Sequence, residues 1–154
     1  MWAVAGFALA LLVFPAASGA QMESIAGNWL VTATLIATSQ QNPQLPAGYA
    51  KQENWSITQQ GSQAAINAGN VSLVGQYFQP GATTPSGSWQ FAAENPSFMN
   101  QPNLGVRYEA IINTATAGEL RGLYSVTFYN GNQYTNQWSA IGGESWSFIA
   151  VRAQ

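Results

Sequence analysis

The chain has 154 residues, a formal net charge of −2, 6% charged residues and 12% aromatic residues. It contains no Cys and no His, and its acidic residues are all Glu, which removes a disulfide framework, the usual zinc and copper ligands, and the Ser-His-Asp and Cys-His nucleophile systems. The four basic residues, Lys51, Arg107, Arg121 and Arg152, stand singly, and this excludes the clustered cations that nucleic-acid binding needs.

The chain opens on an apolar run, "MWAVAGFALALLVFPAASGA". Trp2 to Phe14 has the length of a secretory h-region, Pro15 breaks it, and Ser18 and Ala20 lie at the spacing a signal peptidase reads. The run is shorter than the roughly 20 apolar residues a membrane span requires. The expectation is a signal-peptide helix over residues 1–20, followed by one exported domain over 21–154, extracellular or periplasmic, with no membrane span after cleavage.

From residue 28 onward the sequence consists of short alternating runs with turn residues between them. "NWLVTATLI" (28–36) is the first predicted strand, with Trp29, Val31, Ala33 and Leu35 on one parity. A long connection, 38–53, follows; its Pro43, Leu45, Pro46 and Tyr49 suit an ordered lid, since connections of this length in a compact domain are usually functional. "NWSITQQ" (54–60) turns at Gln60-Gly61-Ser62 into "QAAIN" (63–67), and Ala68-Gly69-Asn70 turns into "VSLVGQYF" (71–78). Further runs are "GSWQFAA" (87–93), "GVRYEAIIN" (105–113), "ELRGLYSVTFY" (119–129), "QYTNQWSA" (133–140) and "SWSFIAVR" (145–152). Thr116-Ala117-Gly118, Asn130-Gly131-Asn132 and Gly142-Gly143 read as hairpin turns. Two other connections, 79–86 and 94–104, are longer.

Evenly spaced strands with short turns predict an all-β, antiparallel up-and-down barrel of about eight strands. The alternation also predicts which side chains point inward. In 105–113 these are Val106, Tyr108, Ala110 and Ile112, with Arg107 and Glu109 on the wet face. In 119–129 they are Leu120, Gly122, Tyr124, Val126 and Phe128, and in 145–152 Trp146, Phe148, Ala150 and Arg152. An inward-parity Arg needs a partner, because a lone buried cation is costly. With an even strand number, the last strand pairs antiparallel with the first, which sets Arg152 beside Trp29 and its indole face. Gly27 lets the entering backbone cross tightly beneath the barrel.

Here the sequence resembles a family. "GNW" at 27–29 with an Arg at the end of the last strand is similar to the signature of the calycins: lipocalins, fatty-acid-binding proteins and avidins. The long first loop is similar to the lid over the open end of a lipocalin barrel, and the likeness extends in outline over 24–154. Avidin-like proteins are the second choice: "NQWSAIGGESWSFIAV" places Trp138 and Trp146 in their style, and "GSWQFAAEN" is similar to their fourth strand. The polar biotin-reading pattern of an avidin first strand is replaced by Val31, Ala33 and Leu35, and no Asp is present for the last-strand contact. The second lipocalin motif, Thr-Asp-Tyr before the seventh strand, is also missing, so the resemblance implies an outlying, lipocalin-like member.

The expected function is a secreted, non-enzymatic binder that holds a small hydrophobic or aromatic molecule in its barrel, or engages a protein partner, with no cofactor and no metal. The ligand-binding candidates are Trp55, Tyr77, Trp89, Phe91, Tyr108, Tyr124 and Trp138, with Gln59 and Asn136 supplying hydrogen bonds. The competing explanation is that these rings simply fill a narrow barrel. Gly27, Trp29 and Arg152 are assigned to barrel closure. Glu109 and Glu119 are read as solvated rather than as an acid–base pair, so no catalytic residue is expected. Asn54-Trp-Ser56 and Asn70-Val-Ser72 match glycosylation acceptors. The alternative function is an extracellular or cell-surface subunit that assembles through strand edges left open by an unclosed barrel.

Overall fold

The computed structural model describes residues 22–39, 45–81, 87–96, 98–132 and 137–154; the expected signal peptide and Asn136 lie outside the described residues. Eight antiparallel strands follow one another in a meander: β1 (Gly27–Thr38), β2 (Ala50–Gln60), β3 (Gln63–Ala68), β4 (Val71–Phe78), β5 (Ser88–Asn95), β6 (Leu104–Ala115), β7 (Glu119–Asn132) and β8 (Gln137–Arg152). Each pairs with the next, and β8 returns to β1, so the sheet is a closed barrel. Closure leaves these strands no free edge, and it removes the physical basis for the strand-edge assembly considered above.

The wall alternates as its residue types require. On β1, Trp29, Val31, Ala33 and Leu35 are buried, while the outward positions of β2 are Gln52, Asn54, Ser56, Thr58 and Gln60. The short hairpins fall where Gly permits them: Gln60 pairs with Gln63 across Gly61-Ser62, and Gly61 adopts φ 58°, a left-handed conformation that costs Gly little. Between β6 and β7, the Thr116 amide donates to the Glu119 carbonyl at 2.9 Å.

Three predicted connections differ. The first loop is shorter than 38–53, because β1 runs to Thr38 and β2 begins at Ala50, with Lys51, Gln52 and Glu53 paired to Ala33, Thr32 and Val31. The polar letters of "AKQE" obscured the start of a strand whose ladder bonds depend on backbone, not on side-chain polarity. Gly142-Gly143 is no turn either: 137–140 and 145–152 belong to the one strand β8. Its pairing with β7 shifts register between Phe128 and Tyr129, which face Gly142 and Ala140, so Ile141 is an extra residue. Such a bulge bends the strand and exchanges the faces of the side chains beyond it. Asn130-Gly131-Asn132 likewise lies within β7 rather than in the turn.

The two ends of the barrel differ in construction. At one end the entering segment crosses beneath the strands, with Ile25 fully buried. Trp29 Nε1 donates to the Ile25 carbonyl at 2.9 Å, and Trp29 pairs with Arg152 across the β1–β8 seam. The guanidinium carbon sits 4.5 Å from the Trp29 ring centroid. Arg152 donates to the Ala117 carbonyl at 2.7 Å and to the Ala26 carbonyl at 2.9 Å. Arg152 as a whole stays exposed: at the rim it covers the indole while its charge keeps water, so the burial penalty expected from its parity is avoided. Gly27 has φ 135°, and a Cβ there would collide with the Arg152 guanidinium.

At the opposite end, residues 45–49 fold over the rim. Leu45 packs against the core, the Leu35 amide donates to the Tyr49 carbonyl at 2.9 Å, and the Gly48 amide donates to the Leu35 carbonyl at 2.9 Å. Phe98, in a short 3-10 turn over Phe98–Asn100, packs on Phe128 with ring centroids 5.7 Å apart.

Candidate functional site

Antiparallel register gathers the inward side chains into one aromatic interior. Its closed-end half holds Trp89, 1% exposed, stacked on Phe91 at 6.1 Å and tilted against Tyr77 at 5.5 Å. The half toward the lid holds Trp55, 4% exposed, with its ring 4.8 Å from Phe148 and 6.3 Å from Tyr124. Tyr124 lies parallel to Trp146, with centroids 5.8 Å apart and planes at 6°. Tyr49 meets Trp146 edge-on at 6.4 Å. Tyr108 packs half-buried against the same core, and burial pushes its hydroxyl above the ordinary tyrosine value.

The polar atoms in this interior are unevenly satisfied. Among the described residues, Trp55 Nε1, Trp89 Nε1 and the Tyr124 hydroxyl are buried with no hydrogen-bond partner. A buried donor left unmatched costs about 1–3 kcal/mol, so three in one interior are a standing cost to the folded chain. Burial raises the Tyr124 pKa well above the ordinary range, and the charges of Glu53 and Glu144 raise it further. The phenol is therefore held in its neutral, donating form.

The lid-side rim carries charge that sequence reasoning missed. Lys51 and Glu53 share the inward parity of Trp55 on β2, and Glu144 shares that of Trp146 on β8. The Lys51 ammonium lies 4.6 Å from the Trp146 ring centroid and 5.3 Å from that of Tyr124. Glu53 is 3.8 Å from it, and Glu144 accepts a hydrogen bond from Trp146 Nε1 at 3.1 Å. Counting alternation backward from Trp55 points to both β2 residues. Reading "KQE" as loop and Gly142-Gly143 as a turn hid all three.

The structure redistributes the sequence candidates. Trp55, Tyr124 and Tyr108 come together toward the lid, while Tyr77, Trp89 and Phe91 gather toward the closed end. Gln59 is spent on structure: its side-chain carbonyl accepts from the Ile25 amide at 2.8 Å, and its amide nitrogen donates to the Gly61 carbonyl at 3.1 Å. Trp138 does not line the interior. Because the bulge at Ile141 exchanges faces, its ring lies outside the wall over Gly105, in a groove of about 300 Å³ shared with Glu94, Arg107 and Tyr129. Glu109 and Glu119 bind separate cations on the outer wall, Arg107 at 2.8 Å and Arg121 at 2.6 Å, and form no carboxylate pair.

A larger open space of about 1070 Å³ is bounded by inward residues such as Ala64, Phe91, Tyr124 and Trp146, together with outward ones such as Val74, Gln90 and Ile111. Side chains of opposite parity lie on opposite sides of a wall, so this volume is not one sealed chamber. The interior is better defined by its rings and unmatched donors.

No protein-family model matches the chain, and no curated protein matches it. Among solved structures, it is similar to EF1p2_mFAP2b bound to DFHBI, at 13% identity and a TM-score of 0.42, over 83% of this chain and 93% of that one.

Proposed function

We propose that this protein is an exported, non-enzymatic binding protein of lipocalin-like plan, whose barrel interior takes a small hydrophobic molecule with an aromatic ring and a hydrogen-bond acceptor. The observation that carries the reading is the set of unmatched donors, Trp55 Nε1, Trp89 Nε1 and the Tyr124 hydroxyl, buried among stacked rings. Apolar walls with a few convergent polar atoms are the usual construction of a small-molecule site. The ring geometry offers stacking, and the donors offer orientation; a core evolved only for packing gains nothing from them. Export rests on the apolar opening segment, and N-terminal sequencing of the protein recovered from its source tests it: a start near Gln21 supports cleavage.

The binding test uses N-phenyl-1-naphthylamine, a neutral fluorophore that brightens in apolar sites, titrated into the folded protein. Saturable one-to-one brightening is expected. Tyr124→Phe and Trp55→Phe should each weaken ligands with an acceptor by about 5- to 10-fold, the range set by one hydrogen bond of roughly 1 kcal/mol. Tyr124→Phe should leave the unliganded protein as stable or slightly more stable, whereas Trp55→Phe, which also removes ring volume from a buried site, should cost about 1–2 kcal/mol. Absence of saturable binding, or variants that lose stability while keeping affinity, would show that the rings are core alone.

A further inference from the structure

The binding reading leaves open which head group the lid-side rim accepts, and the rim itself supplies the answer. An ammonium already sits there: that of Lys51, over the faces of Trp146 at 4.6 Å and Tyr124 at 5.3 Å. These two rings stack nearly parallel, and Tyr49 meets Trp146 from the side. Glu53 stands 3.8 Å from the ammonium, and the charges of Glu53 and Glu144 both reach Tyr124. Ring faces attract cations through their quadrupole, most strongly where water is thinned. With Lys51 in place the rim holds one cation against Glu53 and Glu144, so its balance is negative before any ligand arrives. An anionic head group would meet that excess, whereas a cationic one would be drawn by it and by the rings.

Lys51 itself is weakly held. Its side chain is 37% exposed, its ion pair with Glu53 is long, and its flexible stem can swing to solvent. Behind the rings, Trp55 is almost wholly buried with its Nε1 unmatched, 6.3 Å from Tyr124, which continues the polar path inward from the rim.

From this geometry we propose that the rim is a cation cage for an aryl-alkyl ammonium ligand, and that Lys51 is its built-in occupant, displaced when the ligand's own ammonium enters. This rests on the barrel-binding reading above and adds the head group to it. The ligand ring passes into the interior beside Trp55, and its ammonium takes the place over Trp146 and Tyr124, with Glu53 and Glu144 as counter-charges. A resident cation scales apparent affinity by the fraction of time it leaves the site free. Lys51 therefore sets the affinity without being needed for it.

The test titrates the full chain with 2-phenylethylamine, 2-phenylethanol and phenylacetate, which share a ring and differ in head charge, using displacement of N-phenyl-1-naphthylamine. The amine is expected to bind about tenfold or more tightly than the alcohol, and phenylacetate least, a spacing consistent with a partly desolvated cation–π and ion-pair contact. Lys51→Met should tighten the amine by about tenfold, as expected when a resident competitor is removed. Lys51→Arg, which restores a cation above the rings, should return it toward the parent value. The double variant Glu53→Gln, Glu144→Gln should erase the preference for the amine while keeping the alcohol. Equal binding of all three probes, preference for phenylacetate, or weakening of the amine by Lys51→Met overturns the cage while leaving the barrel reading intact. If the naphthylamine itself fails to bind, both readings fall together.

Discussion

Trp29 and Arg152 show how much a pair of residues contributes when it closes a ring. The indole is fully buried, donates inward to Ile25 and carries the guanidinium on its face. Trp29→Ala should cost about 3–5 kcal/mol, as large aromatic truncations in cores do; Arg152→Ala should cost less, roughly 1–2 kcal/mol, because its site is solvated and its ring contact modest. Urea unfolding measures both, and a loss below about 1 kcal/mol for Trp29→Ala, far under the range for such truncations, would deny the ring its closing role. Tyr124 makes a second prediction, in pH. Its folded pKa lies above its unfolded one, so stability from this group is complete below about pH 10, where unfolded tyrosines begin to ionise, and falls as pH rises beyond that. The unfolding midpoint should drop between pH 9 and 11 in the parent and drop less in Tyr124→Phe. An identical pH profile for the two proteins would place the phenol in water.

At the level of strands, the bulge at Ile141 decides what β8 presents to each side. Upstream of it, Trp138 lies on the outer wall; downstream, Trp146 and Phe148 are interior. Trp138→Phe should change naphthylamine binding by less than twofold and remove the tryptophan emission that acrylamide quenches most readily, since half-buried rings on the outer wall meet solvent. Deleting Ile141 should restore unbroken alternation and shift Trp138 to the inward parity, at a cost of about 1–3 kcal/mol from overpacking. Its emission should then move to shorter wavelength. Unchanged emission in the deletion would show that the strand end slides rather than flips. The same strand shows why its residues 137–140 and 145–152 read as parts of separate runs: Gly142 and Gly143 carry the composition of a turn, but continuous pairing with β7 is a long-range property.

For the whole molecule, closure is the decisive fact. Strands β1 and β8 pair from Trp29–Arg152 to Thr38–Glu144, so the ends of the barrel's chain are neighbours and its turns are topologically equivalent. A circular permutant of residues 22–154, joined through a short Gly-Ser linker and opened at Gly69-Asn70, should fold to the same near-ultraviolet circular dichroism and elute as the parent does on size exclusion. A permutant that aggregates would show that the β3–β4 hairpin must be covalently intact for the ring to form. A closed wall also leaves only its two ends as routes inward. Among the described residues, one is occupied by Ile25, Trp29 and Arg152 and the other by Leu45, Tyr49 and Phe98, so the proposed ligand is expected to exchange through the lid-side rim, where the charges are.

Local sequence determined the strand class, the inward rows of β1, β6 and β7, and the Gly-dependent turns, because alternation and backbone permissiveness are properties of adjacent residues. Pairing of Trp29 with Arg152 was also legible, since an even meander brings those ends together by geometry alone. What only the tertiary structure decided was the face of Trp138, the extent of β2 and β8, and the gathering of Lys51, Glu53 and Glu144 around Tyr124 and Trp146. Those depend on register across strands far apart in sequence, and a single extra residue in one strand exchanges inside for outside for every residue beyond it.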